Sequence, residues 1–145
     1  REKAGAGLLQ LGGHSQAIVL GADTDVVIDG QVLGKPADAA QAAALLRQLS
    51  GRTHQVHTAG WLVSAGREQS ALVSTEVRFS ALSEAEIAAY IATGEPFGKA
   101  GAYAVQGRAA AFIAGITGSY SGVMGLPLHE TAVLLRNFGV PLWSV

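Results

Sequence analysis

The sequence predicts an α/β fold in which a mixed, twisted sheet is flanked by helices. Strand candidates and capped helix candidates intermix along the 145 residues, and hairpin signals join neighbouring strands. Apolar residues make up 49% of the chain, so we expect a single domain over residues 1–145 with a hydrophobic core. Because the chain begins without methionine and already in a helical pattern, we expect this domain to be incomplete at its N-terminus.

The helix candidates carry start and stop signals. Asp38 and Ser83 are suited to cap two of them, with Gln41 and Glu86 in the capping-box positions three residues later. A glycine follows the last apolar residue of each candidate, as at many helix C-termini. The helix candidates are residues 1–11, 37–51, 82–94 and 126–139.

The strand candidates form pairs that are joined by turn residues. Asp29–Gly30 predicts a tight turn inside "DTDVVIDGQVL", and Gly66–Arg67 lies between two long strand candidates, so both pairs are predicted hairpins. Short strand-like pieces follow in a glycine-rich region. The strand candidates are residues 16–22, the two arms of 23–33, 52–65, 68–80, 102–107 and 110–116.

The composition excludes several classes of function. The formal net charge is −1 and the ten basic residues are scattered, which argues against a nucleic-acid-binding surface. The absence of cysteine excludes disulfides and thiolate metal sites. No apolar run approaches the roughly 20 residues of a membrane span, and no signal peptide is visible. We therefore expect no membrane or nucleic-acid partner and a cytoplasmic location.

Three apparent motifs do not satisfy the chemistry that they suggest. "GQVLGKP" has too few residues between its glycines for a P-loop, and Pro36 stands where that loop needs serine or threonine. "GSYSG" has Tyr120 at its centre, so it is not a nucleophile elbow. His54 and His57 are three apart on a predicted strand, which places them on opposite faces. Covalent catalysis and a histidine metal site are therefore disfavoured.

Two stretches hold polar residues with two possible explanations each. Asp23 and Asp25 share one face of an extended chain, with Lys35 nearby, which suits Mg²⁺ and phosphate. Aspartates at a strand end also favour turns, and spacing alone favours that explanation. Lys99 lies between glycines and precedes Gln106, whose amide suits a nucleobase edge. A glycine-rich crossover with a surface lysine is the simpler explanation there.

Seven segments, in order and in register, resemble the Maf family of nucleoside triphosphate pyrophosphatases, also called septum-formation inhibitor proteins. The resemblance covers essentially the whole chain. It implies an α/β fold akin to that of the inosine triphosphate pyrophosphatases. It also implies cleavage of a nucleoside triphosphate between its α and β phosphates with a divalent cation, Mg²⁺ or Mn²⁺. The segments are "GADT", "LGKP", "LSGRTHQVHTA", "LSEAEIAAYIATGEP", "KAGAYAVQG", "ITGSYSGVMGLPL" and "ETAVLLRNFG".

The resemblance also implies roles for particular residues. Asp23 matches the catalytic acidic position, as general base or metal ligand, and we expect it to line one cleft with Lys99. The form "KAGAYAVQG" is similar to the branch that accepts dTTP, UTP and 5-methyl-UTP, and family members are often homodimers. The substrate-binding positions are Thr24 and Gln106 for substrate choice, and Lys35, Lys99 and Lys3 near the phosphates.

The sequence departs from the family pattern at three points, and two of them, the arginine loop and Gly98, support an alternative. The arginine loop of the form S-x-S-P-R-R is absent from this sequence, Asp25 replaces an apolar strand residue, and Gly98 replaces an aspartate. The alternative is a catalytically impaired nucleotide-binding or regulatory protein related to septum control. Because arginine gives bidentate phosphate contacts that lysine cannot, we expect this chain by itself to show little or no turnover.

Overall fold

The computed structural model describes residues 17–143, so the predicted helix over 1–11 and Lys3 lie outside the described residues. The described chain forms an α/β fold. Its elements in chain order are β1 (Val19–Ile28), β2 (Gln31–Leu33), α1 (Ala39–Leu49), β3 (Thr53–Ser64), β4 (Arg67–Phe79), α2 (Glu84–Ala92), 3₁₀ helices at Ala100–Ala102 and Arg108–Phe112, β5 (Ile113–Thr117), α3 (Tyr120–Met124) and α4 (Leu128–Asn137).

The strands form one five-stranded sheet in the order β2-β1-β3-β4-β5. Every pairing among the described strands is antiparallel. The pairing of β1 with β3 sets Asp23 opposite Ala59 and Thr24 opposite Thr58. The predicted α/β class, with a sheet flanked by helices, is confirmed.

Strand β1 is longer than the sequence suggests. The described end of the predicted strand over 16–22, from Val19 onward, and the first arm of the predicted hairpin are one continuous strand, so Asp23 lies in its middle and does not end it. Register explains this, because β3 pairs with β1 from Val19 to Val27 and supplies hydrogen-bond partners throughout. The predicted turn at Asp29–Gly30 is confirmed, with φ of 51° and 74°, as a type I′ hairpin requires.

The helix caps form largely as predicted. Asp38 Oδ1 accepts a hydrogen bond of 2.8 Å from Gln41 N at the start of α1. In a capping box the Gln41 side chain would accept from the backbone N–H of the cap residue, Asp38. Here it accepts from Ala37 N, one residue earlier. Ser83 and Glu86 form the complete capping box of α2. No helix within residues 17–143 has the length and apolarity that a bilayer crossing requires.

The hydrophobic core lies between the helices and one face of the sheet. Strand alternation brings the inward residues of β1, β3 and β4 to this face, and α1 and α2 cover it. A cluster of edge-to-face rings, including His54 and Tyr103, extends from it. The buried core includes Val26, Ile28, Val56, Val77, Phe79, Ala42, Leu46, Leu49, Ile87 and Tyr90.

The segment between α2 and β5 differs from the prediction. Residues 102–107 were predicted as a strand, and this is wrong: Ala102 ends a 3₁₀ helix, and a turn follows at residues 105–107. The reason is local geometry, because Gly101 and Ala102 have φ of 72° and 66°, which no strand residue adopts. Strand β5 starts only at Ile113, in the second strand-like piece.

Candidate functional site

A cavity of about 350 Å³ opens between the sheet, the segment after α2, and α3. Its volume lies within the range of small-molecule sites, which is roughly 300–1,000 Å³. Strand β1 contributes four lining residues, and the others come from five further parts of the chain. The lining residues are Ala22, Asp23, Thr24, Val26, Lys35, Val56, residues 98–100, residues 103–106 and residues 123–125.

Thr24 is held in the sheet wall by a chain of hydroxyl groups. Its Oγ1 lies 3.2 Å from Thr58 Oγ1 on the neighbouring strand, and Thr58 Oγ1 donates to the Gly122 carbonyl at 2.5 Å. Because a threonine hydroxyl has one hydrogen, Thr58 must accept from Thr24. The fixed Thr24 oxygen therefore accepts any further hydrogen bond from the cavity side.

Asp23 is the only carboxylate among the described residues that line the cavity. It is exposed, and its Oδ1 accepts from Thr24 N at 3.2 Å. Turn formation does not explain this residue, because it lies in the middle of a ten-residue strand. The explanation that spacing alone favoured is therefore wrong for Asp23.

The donor set suits a hard cation that is shared with a substrate. The described part of the chain holds no cluster of three or more His, Asp or Glu side chains suited to a metal. Mg²⁺ usually takes one or two carboxylates and completes its shell with water and substrate phosphates. A single carboxylate, that of Asp23, beside lysines that attract phosphates fits this mode of binding and does not fit a preformed protein cage.

Lys35 and Lys99 bring positive charge to the same cavity. Both are exposed, and they belong to segments that touch: Gly101 N donates to the Gly34 carbonyl at 3.1 Å. A side chain at position 101 would press on Val26, with its Cβ 2.9 Å from a Val26 methyl group. Glycine at this position therefore lets the lysine-bearing segments approach the sheet.

Tyr103 and Gln106 form the far wall. Tyr103 is buried, and its Oη lies 2.6 Å from His54 Nε2. Burial lowers the pKa of His54 to about 4 and raises that of Tyr103, so both rings are neutral at physiological pH. Gln106 is exposed at the cavity, with its amide available to a ligand.

The structure also locates the departures from the family pattern. Asp25 is exposed on the face of β1 opposite to Thr24, so it buries no charge. Gly98 lines the cavity with φ of 78°, a conformation that glycine adopts freely and that aspartate and asparagine tolerate better than most residues.

Sequence reasoning did not single out Thr58 or the end of α3. Val123, Met124 and Gly125 line the cavity, and Ser119 Oγ caps this short helix by accepting from Gly122 N at 2.9 Å. The glycines and serines around α3 were the available signal, but they equally indicate a loop.

Comparison with known proteins agrees with this geometry. The sequence profile of the family described as Maf-like protein matches residues 1–138. A dTTP/UTP pyrophosphatase of Xanthomonas axonopodis pv. citri is 60% identical over 140 residues, covering 95% of this chain and 74% of that protein. A nucleoside triphosphate pyrophosphatase of Xylella fastidiosa is 57% identical over 139 residues, with the same coverage of 95% and 74%. A dTTP/UTP pyrophosphatase of Aromatoleum aromaticum is 55% identical over 142 residues, covering 98% of this chain and 69% of that protein.

Proposed function

This chain belongs to the Maf family, and we propose that it hydrolyses dTTP and UTP, and modified forms such as 5-methyl-UTP, to the monophosphate and pyrophosphate. One observation carries the proposal. A single cavity combines the Asp23 carboxylate, the Lys35 and Lys99 ammonium groups and the Gln106 amide. These are the groups that a reaction on a phosphate chain attached to a pyrimidine requires. The names of the 55–60% identical relatives support the same substrates.

The lysine side of the cavity would hold the triphosphate. Lys35 and Lys99 are exposed on two segments whose backbones are joined by the Gly101–Gly34 hydrogen bond, so the main chain holds the backbone of the two residues close together. Attack on phosphorus depends mainly on positioning and on stabilising negative charge that develops on phosphate oxygens. The two lysines on this shared backbone would supply the positive charge, and Lys3 is proposed as a further phosphate contact.

Asp23 would act at the reacting end. Its carboxylate can accept a proton from the attacking water, and the same oxygens can hold Mg²⁺ or Mn²⁺. The cation, when bound, neutralises phosphate charge and helps to align the water. The backbone around Asp23 is held by β3 on one side, so its carboxylate position depends on strand register.

The Gln106 side would hold the base, with the fixed Thr24 hydroxyl as a second contact that bears on substrate choice. The carboxamide N–H can donate to O4 of thymine or uracil, and its oxygen can accept from N3–H. Gln106 lies beside Tyr103 in the lining, so the base would also meet an aromatic and aliphatic wall. This arrangement favours pyrimidines with a carbonyl at position 4.

The cellular setting follows from the reaction. We place the enzyme in the cytoplasm, where nucleoside triphosphates are used, and as a homodimer, both on family resemblance. The alternative, a septum-related regulator without turnover, has no specific observation in its favour. Gly98, which suggested it, retains a backbone that suits a cavity-lining turn.

The test is product analysis with dTTP, UTP, dCTP and GTP in the presence of Mg²⁺. Because turnover by this chain is expected to be low, the assay uses a high protein concentration and a long incubation, and we expect dTTP and UTP to give monophosphate and pyrophosphate in equal amounts, with no diphosphate and no orthophosphate. Asp23→Asn protein is the control for contaminating activity. Saturable dTTP binding without any pyrophosphate would establish the regulatory alternative and overturn the enzymatic one.

A further inference from the structure

A carboxylate outside the cavity organises the turn that carries Gln106. Glu95 lies just after α2 and accepts hydrogen bonds from three donors. Tyr90 Oη donates to its Oε2, Arg108 N donates to Oε1 at 2.8 Å, and Ala109 N donates to Oε2 at 3.1 Å. Tyr90 Oη in turn accepts from Ala104 N at 3.3 Å.

These contacts bracket Gln106. Ala104 is anchored two residues before it and Arg108 two residues after it, both by the Tyr90–Glu95 pair. Between the anchors, Gly107 N donates to the Ala104 carbonyl at 3.1 Å, which closes the turn. The backbone on both sides of Gln106 therefore depends on two side chains that do not line the cavity.

The contacts require a carboxylate at position 95. All three partners are donors, and only an ionised carboxylate accepts at both oxygens without offering a competing hydrogen. Burial raises the pKa of the Glu95 carboxyl, but the hydrogen bonds from Tyr90, Arg108 and Ala109 outweigh it and hold the pKa below its usual value. Gly107 packs against this carboxylate so closely that a Cβ there would collide with Oε1.

We propose that Glu95, together with Tyr90, positions the Gln106 amide and thereby sets the preference for thymine and uracil over cytosine. The proposal rests on the proposed function, in which Gln106 contacts the base. A carboxamide that can move freely presents its donor and acceptor in either order, so it pairs with cytosine as readily as with thymine. Fixing the backbone on both sides of Gln106 fixes the point and direction from which its side chain leaves the turn, and so limits the rotamers that bring the amide to the base edge. Glu95 is thus a positioning residue and not a catalytic one.

The experiment measures base preference separately from turnover. In an Asp23→Asn background, which suppresses hydrolysis, calorimetry gives the ratio of the dissociation constants for dCTP and dTTP. Glu95→Gln and Tyr90→Phe are the test variants. Ser83→Ala is the matched control, because it removes the cap of α2 without touching the turn around Gln106. Gln106→Ala, alone and combined with Glu95→Gln, shows whether Glu95 acts through Gln106.

We expect Glu95→Gln and Tyr90→Phe each to lower the ratio by about tenfold, the scale of specificity that is lost when a hydrogen bond to the base is no longer aligned. Ser83→Ala should leave the ratio unchanged. The double variant Gln106→Ala with Glu95→Gln should have the same ratio as Gln106→Ala alone. Hydrogen exchange at the Arg108 and Ala109 amides should be faster in Glu95→Gln. Should that variant fail to fold, Tyr90→Phe and Gly107→Ala, which displaces the carboxylate, give the same readout.

The outcomes separate the inference from the proposed function. If Gln106→Ala lowers the ratio of dissociation constants to about one while Glu95→Gln and Tyr90→Phe leave it unchanged, Glu95 does not position Gln106. The assignment of Gln106 to base recognition then stands. If Gln106→Ala leaves the ratio unchanged, Gln106 does not select the base and the inference falls with that assignment. Failure of the wild-type protein to release pyrophosphate counts against the enzymatic function alone, because the binding ratio does not depend on turnover.

Discussion

The two walls of the cavity are built on different principles. The wall formed by β1 and β3 is a continuous antiparallel ladder from Val19 to Val27, and main-chain pairing places its residues. The opposite wall, residues 95–112, contains no strand, and Gly98, Gly101 and Ala102 have positive φ. It is held by side chains, chiefly the Glu95 carboxylate and the His54–Tyr103 pair.

Substitutions should therefore affect ligand binding differently in the two walls. In a ladder, backbone hydrogen bonds survive most substitutions, so a change in the sheet wall should affect function only where the side chain itself reaches the ligand. In a segment held by side chains, a residue that never touches the ligand can move one that does.

The largest effect is expected in the sheet wall, at Asp23. Asp23→Asn keeps the size of the side chain but removes the charge that a general base or a metal ligand needs. Pyrophosphate release from dTTP should fall by about 10²- to 10⁴-fold, with the unfolding midpoint unchanged. The measurement is kcat/KM for dTTP at saturating Mg²⁺.

Asp25→Asn is the matched control for this prediction. Asp25 lies two residues along the same strand and on the same face, and it is also exposed. Its loss should change kcat/KM by less than about twofold, because Asp25 does not line the cavity and exposed charges interact weakly. Equal losses in the two variants would mean that negative charge on this strand matters and the position does not.

The sequence predicted most of the sheet wall. Hairpin turns such as Asp29–Gly30 and caps such as Ser83 are encoded by neighbouring residues, so the helices and the long strands follow from local signals. The prediction that the strand ends at Asp23 was wrong, because Asp23 and Asp25 are residues that favour turns. Only pairing with β3, a contact distant in sequence, holds them in a strand.

The opposite wall could not be predicted in the same way. Resemblance indicated that Lys99 and Gln106 contact substrate, and the structure places both on the cavity. The sequence does not show that Glu95 bonds to Arg108 and Ala109, because contacts across more than ten residues leave no periodic pattern. Ala102 with positive φ is likewise fixed by tertiary contacts and not by propensity.

The buried link between the two walls gives the next effect. His54 is 1% exposed, its Nδ1 has no partner among the described residues, and burial lowers its pKa to about 4, from about 6.5 in the unfolded chain. Above pH 6.5 both states are neutral, and below it the unfolded state binds more protons. Stability should therefore fall as pH drops from about 6.5 to 4, by about 3 kcal/mol.

Urea unfolding at pH 7 and pH 4 measures this loss. His54→Phe keeps an aromatic ring between Phe79 and Tyr103 but cannot be protonated. His54→Phe leaves Tyr103 Oη without its partner at every pH, so this cost does not depend on pH. The decrease in the free energy of unfolding between pH 7 and pH 4 should be smaller in the variant than in wild type, by most of the about 3 kcal/mol assigned to His54. The same pH dependence in both proteins would show that His54 is not responsible.

Gln106 tests the side-chain wall directly. Gln106→Glu replaces the amide N–H that would donate to O4 of thymine or uracil, so kcat/KM for dTTP and UTP should fall by about ten- to a hundredfold. The loss for dCTP should be smaller, because its N4 amino group can donate to a carboxylate. An equal loss for dTTP, UTP, dCTP and GTP would mean that Gln106 supports the turn and does not contact the base.

The smallest effect is expected at Gly98, where the side-chain wall lacks a carboxylate. Gly98 has φ of 78°, and a Cβ there meets nothing within 4 Å, so aspartate fits without displacing a neighbour. In Gly98→Asp, a second cavity carboxylate should help to hold Mg²⁺. The Mg²⁺ concentration that gives half-maximal turnover should therefore fall by about two- to fivefold, the scale of an exposed charge interaction. Gly98→Asn is the matched control, because it has similar backbone tolerance and no charge. If both variants shift the Mg²⁺ dependence equally, the effect comes from the backbone, and the carboxylate at this position does not contribute to the cation site.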